Sequence, residues 1–186
     1  MRKRYVLLVL TILVGLALLA VDNYTQEINT TLSENQAAEA DYYGEGLYNR
    51  RFNAQGQLEQ TFAATRSTHY PLTNSTVFNQ PRINVQDEDG QYWLVSAAEG
   101  SMNDKDDLLR LRRDVEIRPQ QEDAPEQVNI QTPALDYYTR AQLAITDQPV
   151  VILHPSSRMT AIGMRIDLKK QRMELNAKVN TRYVPQ

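Results

Sequence analysis

Apolar and polar residues alternate with a period of two along much of the chain beyond residue 40, and the last two segments show this most clearly. In "AIGMRIDL" the even-numbered residues from Ile162 to Leu168 are apolar, and they share one face of an extended strand. In "RMELNAKVNTRY" the odd-numbered residues from Met173 to Tyr183 share a face. Because the intervening "KKQ" is short and polar, the pattern predicts a hairpin with one apolar and one polar side.

Earlier segments repeat this alternation between turn signals, as in "QLEQTFAATR", "STVFNQPRINVQ", "QYWLVSAA" and "LLRLRRDVEIR". A weak internal repeat aligns Trp93 to Ile117 with Val128 to Ile152 without gaps. Each repeat is about two strands long and cannot bury its apolar face alone, so the copies are expected to stack. The pattern therefore predicts an all-β domain over residues 41–186, closed as an antiparallel sandwich or roll.

The start of the chain has a different pattern. Arg2, Lys3 and Arg4 precede a run from Tyr5 to Val21 without a charge, which as a helix would be about 25 Å long, close to the thickness of a bilayer core. The run has no small-residue cleavage site. We therefore expect a cytoplasmic tip at residues 1–4, a membrane-spanning helix at 5–21, a polar tether at 22–40, and the β domain on the outer side, which in a bacterium is the periplasm.

Composition excludes several classes of function. The formal net charge is −3, and the chain beyond the three basic residues at its start is more negative still, which disfavours nucleic acid as a partner. The absence of cysteine rules out a disulfide framework and a thiolate metal site. There is also no glycine-rich phosphate-binding loop, so energy for any transport step must come from elsewhere.

Few residues suggest catalysis. His154, Ser156 and Asp147 could be drawn as a hydrolytic triad, but no nucleophile-elbow motif accompanies the serine, and a turn at Pro155 explains the segment better. "DEDG", Asp87 to Gly90, lacks the remaining ligands of a calcium loop and is better explained as a hairpin tip. We expect no catalytic centre, no metal site and no cofactor.

The apolar positions of the predicted strands include many methionines and aromatic residues, which suit adaptable apolar contacts. A roll with slightly separated faces would offer a long slot for acyl chains. The candidate lipid-binding residues are Phe78, Ile83, Val85, Trp93, Tyr137, Met164, Met173, Leu175 and Tyr183. The alternative is that these residues fill a closed core, which requires the same chemistry.

Several of these segments together resemble the LptC family of lipopolysaccharide export proteins. The most specific pieces are "FNAQGQL", "FNQPRI" followed by "WLVSAAEG", and the closing "GMRIDL" and "RYVP". The resemblance covers nearly the whole chain. One departure is Arg113 before "DVEI", where such families commonly have a glycine, so a glycine-dependent bend is in question there. Arg113 falls in the same alternation phase as the apolar Leu111 and Val115.

The resemblance implies a β-jellyroll of the OstA and LptA type that carries lipopolysaccharide and is not an enzyme. It implies an inner-membrane protein with a single span that takes lipopolysaccharide from the ABC transporter LptB, LptF and LptG into an apolar groove and passes it to LptA. The first β edge would meet the transporter and the last would meet LptA. The candidate interface residues are Gly56, Leu58, Val179, Thr181 and Tyr183. Whether the isolated domain forms a homodimer stays open.

Two other classes of function remain open at this stage. A scaffold would join envelope proteins through its β edges while its core stays closed. An enzyme acting on periplasmic glycan or lipid would need a cluster of polar residues with tuned pKa values. Whether a lipid-sized probe enters the domain separates the scaffold from a carrier. Loss of function in His154→Ala with lipid binding intact would favour the enzyme.

Overall fold

The computed structural model describes residues 39–103, 105–120 and 128–183. The expected cytoplasmic tip at 1–4, the span at 5–21 and nearly all of the tether at 22–40 lie outside these residues. Within the described ranges no helix is long and apolar enough to cross a membrane.

The described chain forms eleven strands and every strand pair is antiparallel, which confirms the predicted all-β antiparallel fold. The strands are β1 (Tyr42–Phe52), β2 (Leu58–Tyr70), β3 (Ser75–Asn79), β4 (Arg82–Gln86), β5 (Tyr92–Ser96), β6 (Glu99–Asn103), β7 (Leu108–Pro119), β8 (Asn129–Tyr138), β9 (Leu143–His154), β10 (Ser157–Asp167) and β11 (Arg172–Tyr183). In the described part of the chain β1 pairs only with β2, and β11 pairs only with β10, so these two strands are the edges.

The long strands β2 and β7 each bend at a corner, where their pairing passes from one short strand to another. Residues 60–63 of β2 pair with β4, whereas residues 66–70 pair with β3. In the same way β7 pairs with β6 before the corner and with β5 after it. Backbone hydrogen bonds from Gln80 to Ala98 and from Ala98 to Arg113, each 2.9 Å, join the short strands to β7 along this line. The long strands therefore run through two layers, which we name the β3–β6 layer and the β4–β5 layer after the short strands in each.

The corner on β7 is made without a glycine. Arg113 and Asp114 both have positive φ, at 60° and 50°, and the pairing with β8 shifts register by one residue between Arg112 and Val115. The extra residue is a β-bulge, which bends the strand. The strand therefore bends here although no glycine is present. Arg113 does not share the inward face with Leu111 and Val115, so the expectation from the alternation is wrong. The Arg113 side chain is exposed and forms an ion pair with Glu99.

A second phase change occurs on β10. Ile162 was expected to share a face with Met164, but Ile162 is 37% exposed while Met164 is fully buried. Gly163 lies between them with φ of +77°, a backbone conformation that L side chains rarely adopt. Because this glycine reverses the alternation, the inward face of β10 changes from odd to even residues at the corner.

The two layers enclose one apolar core. Its fully buried members include Ile83, Val85, Leu111, Ile117, Tyr137 and Met164. Phe62 of the β4–β5 layer contacts Phe78 of the β3–β6 layer edge to face, with ring centroids 4.9 Å apart. Contacts of this kind hold the layers together, because both layers supply side chains to the core.

Candidate functional site

The centre of the roll is filled by side chains. Four of the candidate lipid-binding residues, Ile83, Val85, Tyr137 and Met164, are fully buried. The Tyr137 hydroxyl donates a hydrogen bond to Gln60 Oε1 at 3.2 Å. Burial of Tyr137 raises the pKa of its phenol above the ordinary value of 10, because a phenolate would be poorly solvated there. These residues close the middle of the lumen.

An apolar recess of about 400 Å³ opens beside β1. Its apolar walls are Leu47, Phe62, Phe78, Met102 and Leu109. Of these, only Phe78 was a candidate from the sequence. We name this cavity the β1 recess. Its volume exceeds the about 150 Å³ of a cavity that accommodates benzene, so it has room for part of an acyl chain.

Polar side chains lie at the rim of the β1 recess. Arg51 Nε lies 3.2 Å from Glu59 Oε2, and Arg51 Nη1 donates to the backbone oxygen of Thr139 at 2.6 Å. Since Arg51 is on β1 and Thr139 follows β8, the contact between them joins the β4–β5 layer to the β3–β6 layer. The recess thus combines apolar walls with a charged rim, as an amphiphile requires.

A second recess lies near β11 at the other end of the roll. It has a volume of about 210 Å³ and is lined by Trp93, Ile117, Val128, Ile130, Ile166, Leu168, Gln171 and Met173. Trp93 and Met173 were candidates from the sequence. We name it the β11 recess. Its lining comes from both layers, so this recess lies between them, as the core does.

The inward face of β11 is largely uncovered. Leu175 lies opposite the buried Met164 and is partly buried, whereas Met173 is 41% exposed. Ala177 lies opposite the exposed Ile162 at the register shift. Beyond it Thr181 lies opposite Met159, which packs against the core, so the odd-numbered residues from 179 onward resume the inward face. Val179 and Tyr183 are 52% and 74% exposed. The core thus continues into an apolar surface that no described strand covers.

The candidate interface residues lie at both edges. Gly56 lies in the turn between β1 and β2 with φ of +77°, and no heavy atom outside the glycine and its two chain neighbours lies within 4 Å of where its Cβ would be. Its backbone N–H donates to Asn53 O at 3.0 Å, so its role there is to form the turn. Leu58 begins β2 beside it, opposite Phe52. Val179, Thr181 and Tyr183 lie on β11 at the other edge.

The polar candidates do not assemble into a catalytic centre. His154 Nδ1 lies 2.9 Å from Ser156 Oγ, but Asp147 is seven residues back along β9, which is about 20 Å at the rise of a strand. The triad geometry is therefore missing. Across the described residues no three His, Asp or Glu side chains come together in a group that could hold a metal ion.

The fold matches a solved structure, and the sequence matches a family model. The crystal structure of LptH, the LptA homologous periplasmic component of the lipopolysaccharide transport device from Pseudomonas aeruginosa, matches with a TM-score of 0.50 at 4% identity, covering 68% of this chain and 95% of that one. This likeness concerns the fold. No curated protein sequence matches the chain. The family model described as "Lipopolysaccharide-assembly, LptC-related" matches residues 8–184. The chain therefore belongs to the LptC family and has a role in lipopolysaccharide transport.

Proposed function

We propose that this protein carries the acyl chains of lipopolysaccharide through its roll, from the β1 recess to the uncovered face of β11. The observation that supports this most strongly is the apolar path at both ends of the core. Each edge has an apolar recess, and the inward face of β11 continues the core outward through Met173, Val179 and Tyr183. A carrier needs such a path because acyl chains must leave water at every step.

The partners in this proposal meet the two edge strands. The transporter LptB, LptF and LptG supplies lipopolysaccharide at β1, and LptA receives it at β11. An edge strand has unpaired backbone N–H and C=O groups that another strand can pair with. Strand addition at both edges would extend the two layers into the partners and so continue the apolar path. The run at residues 5–21 anchors the protein in the inner membrane, with the roll in the periplasm.

In this mechanism the filled centre is a resting state. Ile83, Tyr137 and Met164 are fully buried in the core between the layers, so an arriving chain must separate the layers locally. Each lipid displaces the previous one forward, driven by the transporter, and the protein itself performs no catalysis. Methionine at the inward positions suits this role because its side chain adapts to changing contacts.

A scaffold is the second candidate, and the closed centre favours it. A scaffold would join its partners through the same β edges without admitting lipid. Charge placed on the inward face of β11 separates the two functions. Met173→Asp places a carboxylate beside the β11 recess. The control, Asn180→Asp, places a carboxylate on the outward face of the same strand, opposite Thr160.

We expect Met173→Asp to reduce lipopolysaccharide transfer from membranes to LptA at least about tenfold, because burying a charge against an acyl chain is costly. Asn180→Asp should transfer normally. The fold of each variant is checked by thermal unfolding, and LptA binding is measured separately. Normal transfer by a folded Met173→Asp protein would contradict the carrier and leave the scaffold.

A further inference from the structure

Two turns from opposite layers meet over the β11 recess. One joins β4 to β5 and contains Asp87 and Asp89, and the other joins β10 to β11 and ends at Gln171. The Gln171 side-chain amide donates to Asp87 Oδ2 at 2.7 Å and to Asp89 Oδ2 at 2.9 Å. Beside them the Glu88 backbone N–H donates to Lys169 O at 3.1 Å. We name this set of contacts the turn latch.

Asp87 is the centre of the turn latch. It is only 7% exposed, and its Oδ2 also accepts a hydrogen bond from Trp93 Nε1 at 3.0 Å. Its Oδ1 accepts from the backbone N–H groups of Asp89 and Gln91 at 3.0 and 2.8 Å. The β4–β5 turn therefore holds the Asp87 carboxylate in place by itself, and Gln171 is the side chain that joins it to the other layer.

The turn latch also forms part of the wall of the recess. Trp93, Gln171 and Met173 all line the β11 recess, so the side chain that bonds Asp87 is also in contact with the cavity. Separating Gln171 from Asp87 would uncover the recess at the point where it continues into the face of β11.

We propose that the turn latch is a gate, closed at rest, that opens to let acyl chains pass from the β11 recess to β11. The proposal rests on the proposed carrier function. The gate can open because its side-chain contacts are two hydrogen bonds from one amide and because Gln171 holds a left-handed backbone conformation, with φ of 52°, which is unfavourable for a residue with a side chain. The Arg51 contact to Thr139 joins the layers in a corresponding way at the β1 recess.

The first test measures the turn latch without any lipid. Gln171→Glu keeps the side-chain length but places a third carboxylate against Asp87 and Asp89, so like charges should separate the turns. The amide of Glu88 reports the contact, because its proton is held by Lys169 across the gap. We expect its hydrogen exchange to become at least about tenfold faster. Gln57→Glu, the same change in the turn at the other edge, should leave it unchanged. Unchanged exchange in Gln171→Glu would overturn the gate.

The second test locks the turn latch. The chain has no cysteine, so Glu88→Cys with Lys169→Cys introduces the only two thiols, and the intended bond is the only disulfide possible within one molecule. The backbone hydrogen bond of 3.1 Å between these residues brings the two turns together, and a disulfide links Cα atoms about 4.4–6.8 Å apart. A control pair, Arg165→Cys with Glu174→Cys, links cross-strand partners on the exposed side of one layer.

The readout is capture of lipopolysaccharide by a photo-crosslinking residue at Val179 in membranes that contain the transporter and LptA. We expect capture to be at least about tenfold lower when the disulfide between the two introduced cysteines is formed, and to recover when a reductant breaks it. The disulfide of the control pair should have no effect. Equal capture in the oxidised and reduced lock would overturn the gate and leave the carrier function intact. No capture in either state, with LptA still bound, would overturn the carrier function and the gate with it.

Discussion

The last hairpin contains two strands of similar length and similar alternation, yet they differ in what covers them. β10 has 11 residues and buries Ala161, Met164 and Ile166. β11 has 12 residues and buries none of its side chains fully. β10 lies between β9 and β11, whereas β11 is an edge. The comparison shows that alternation determines which face is apolar, and that the neighbouring strands and the opposite layer determine whether that face is buried.

This difference has a functional meaning. An apolar inward face at an edge is unfavourable in water, and proteins usually protect such edges with charge, proline or a bulge. β11 has a bulge, where its pairing with β10 shifts register between Thr160 and Ile162, but Val179 and Tyr183 remain exposed beyond it. We interpret this surface as the part of the roll that is completed by a partner strand and by lipid.

The largest expected effect comes from matched methionines in the two strands. Met164→Ala in β10 removes a fully buried side chain and should cost about 2–5 kcal/mol of unfolding free energy, since it leaves a cavity. Met173→Ala in β11 removes a side chain that is 41% exposed and should cost less than about 1 kcal/mol. Urea unfolding of both variants measures the difference. Equal costs would mean that β11 is covered in solution.

A smaller effect is expected from the buried phenol. Tyr137→Phe leaves Gln60 Oε1 without its donor and should cost about 1–3 kcal/mol at neutral pH. Because burial raises the pKa of Tyr137 in the folded protein, its contribution is present below about pH 10, the pKa in the unfolded chain, and is lost as the pH rises further. The stability difference between the wild type and the variant should therefore narrow above pH 10. A constant difference up to pH 11 would show that the phenol is solvated.

The smallest effect should be a gain in stability at Gln142, which lies in the turn between β8 and β9. Gln142 is 1% exposed, neither its side-chain oxygen nor its nitrogen has a hydrogen-bond partner, and its backbone oxygen accepts from Leu168 N at 3.0 Å. Gln142→Met keeps the length of the side chain and removes the unpaired amide, so stability should rise by about 1 kcal/mol. Gln131→Met, on an exposed residue, is the control and should change little. A loss of stability in Gln142→Met would indicate an internal partner for this amide.

Periodicity predicted the strands that are apolar on one face, including both strands of the last hairpin. It did not predict β1, because Tyr42, Tyr43 and Tyr48 are exposed on an edge and give no regular alternation. The phase errors at Arg113 and Ile162 both occur at backbone with positive φ. At Gly163 the alternation reverses, whereas at Arg113 and Asp114 it is interrupted and resumes on the odd-numbered residues at Val115. At Arg113 and Asp114 no glycine marks the change.

The candidate site was less predictable than the fold. Candidate residues such as Val85 and Met173 have the same apolar character in the sequence, but one is in the closed core and the other beside a recess. Only the three-dimensional packing separates them. The turn latch could not be predicted from the sequence either. "DEDG" was correctly expected at a hairpin tip, but the residue that bonds it, Gln171, lies 84 residues away from Asp87.

The most direct test of the carrier function is the order in which lipopolysaccharide reaches the two ends of the roll. Photo-crosslinking residues are placed singly at Met102 in the β1 recess and at Met173 in the β11 recess, in membranes that contain the transporter and LptA. After ATP is added, we predict capture at Met102 first and at Met173 later. Capture at neither position, or at Met102 alone while LptA still receives lipopolysaccharide, would contradict a path through the roll.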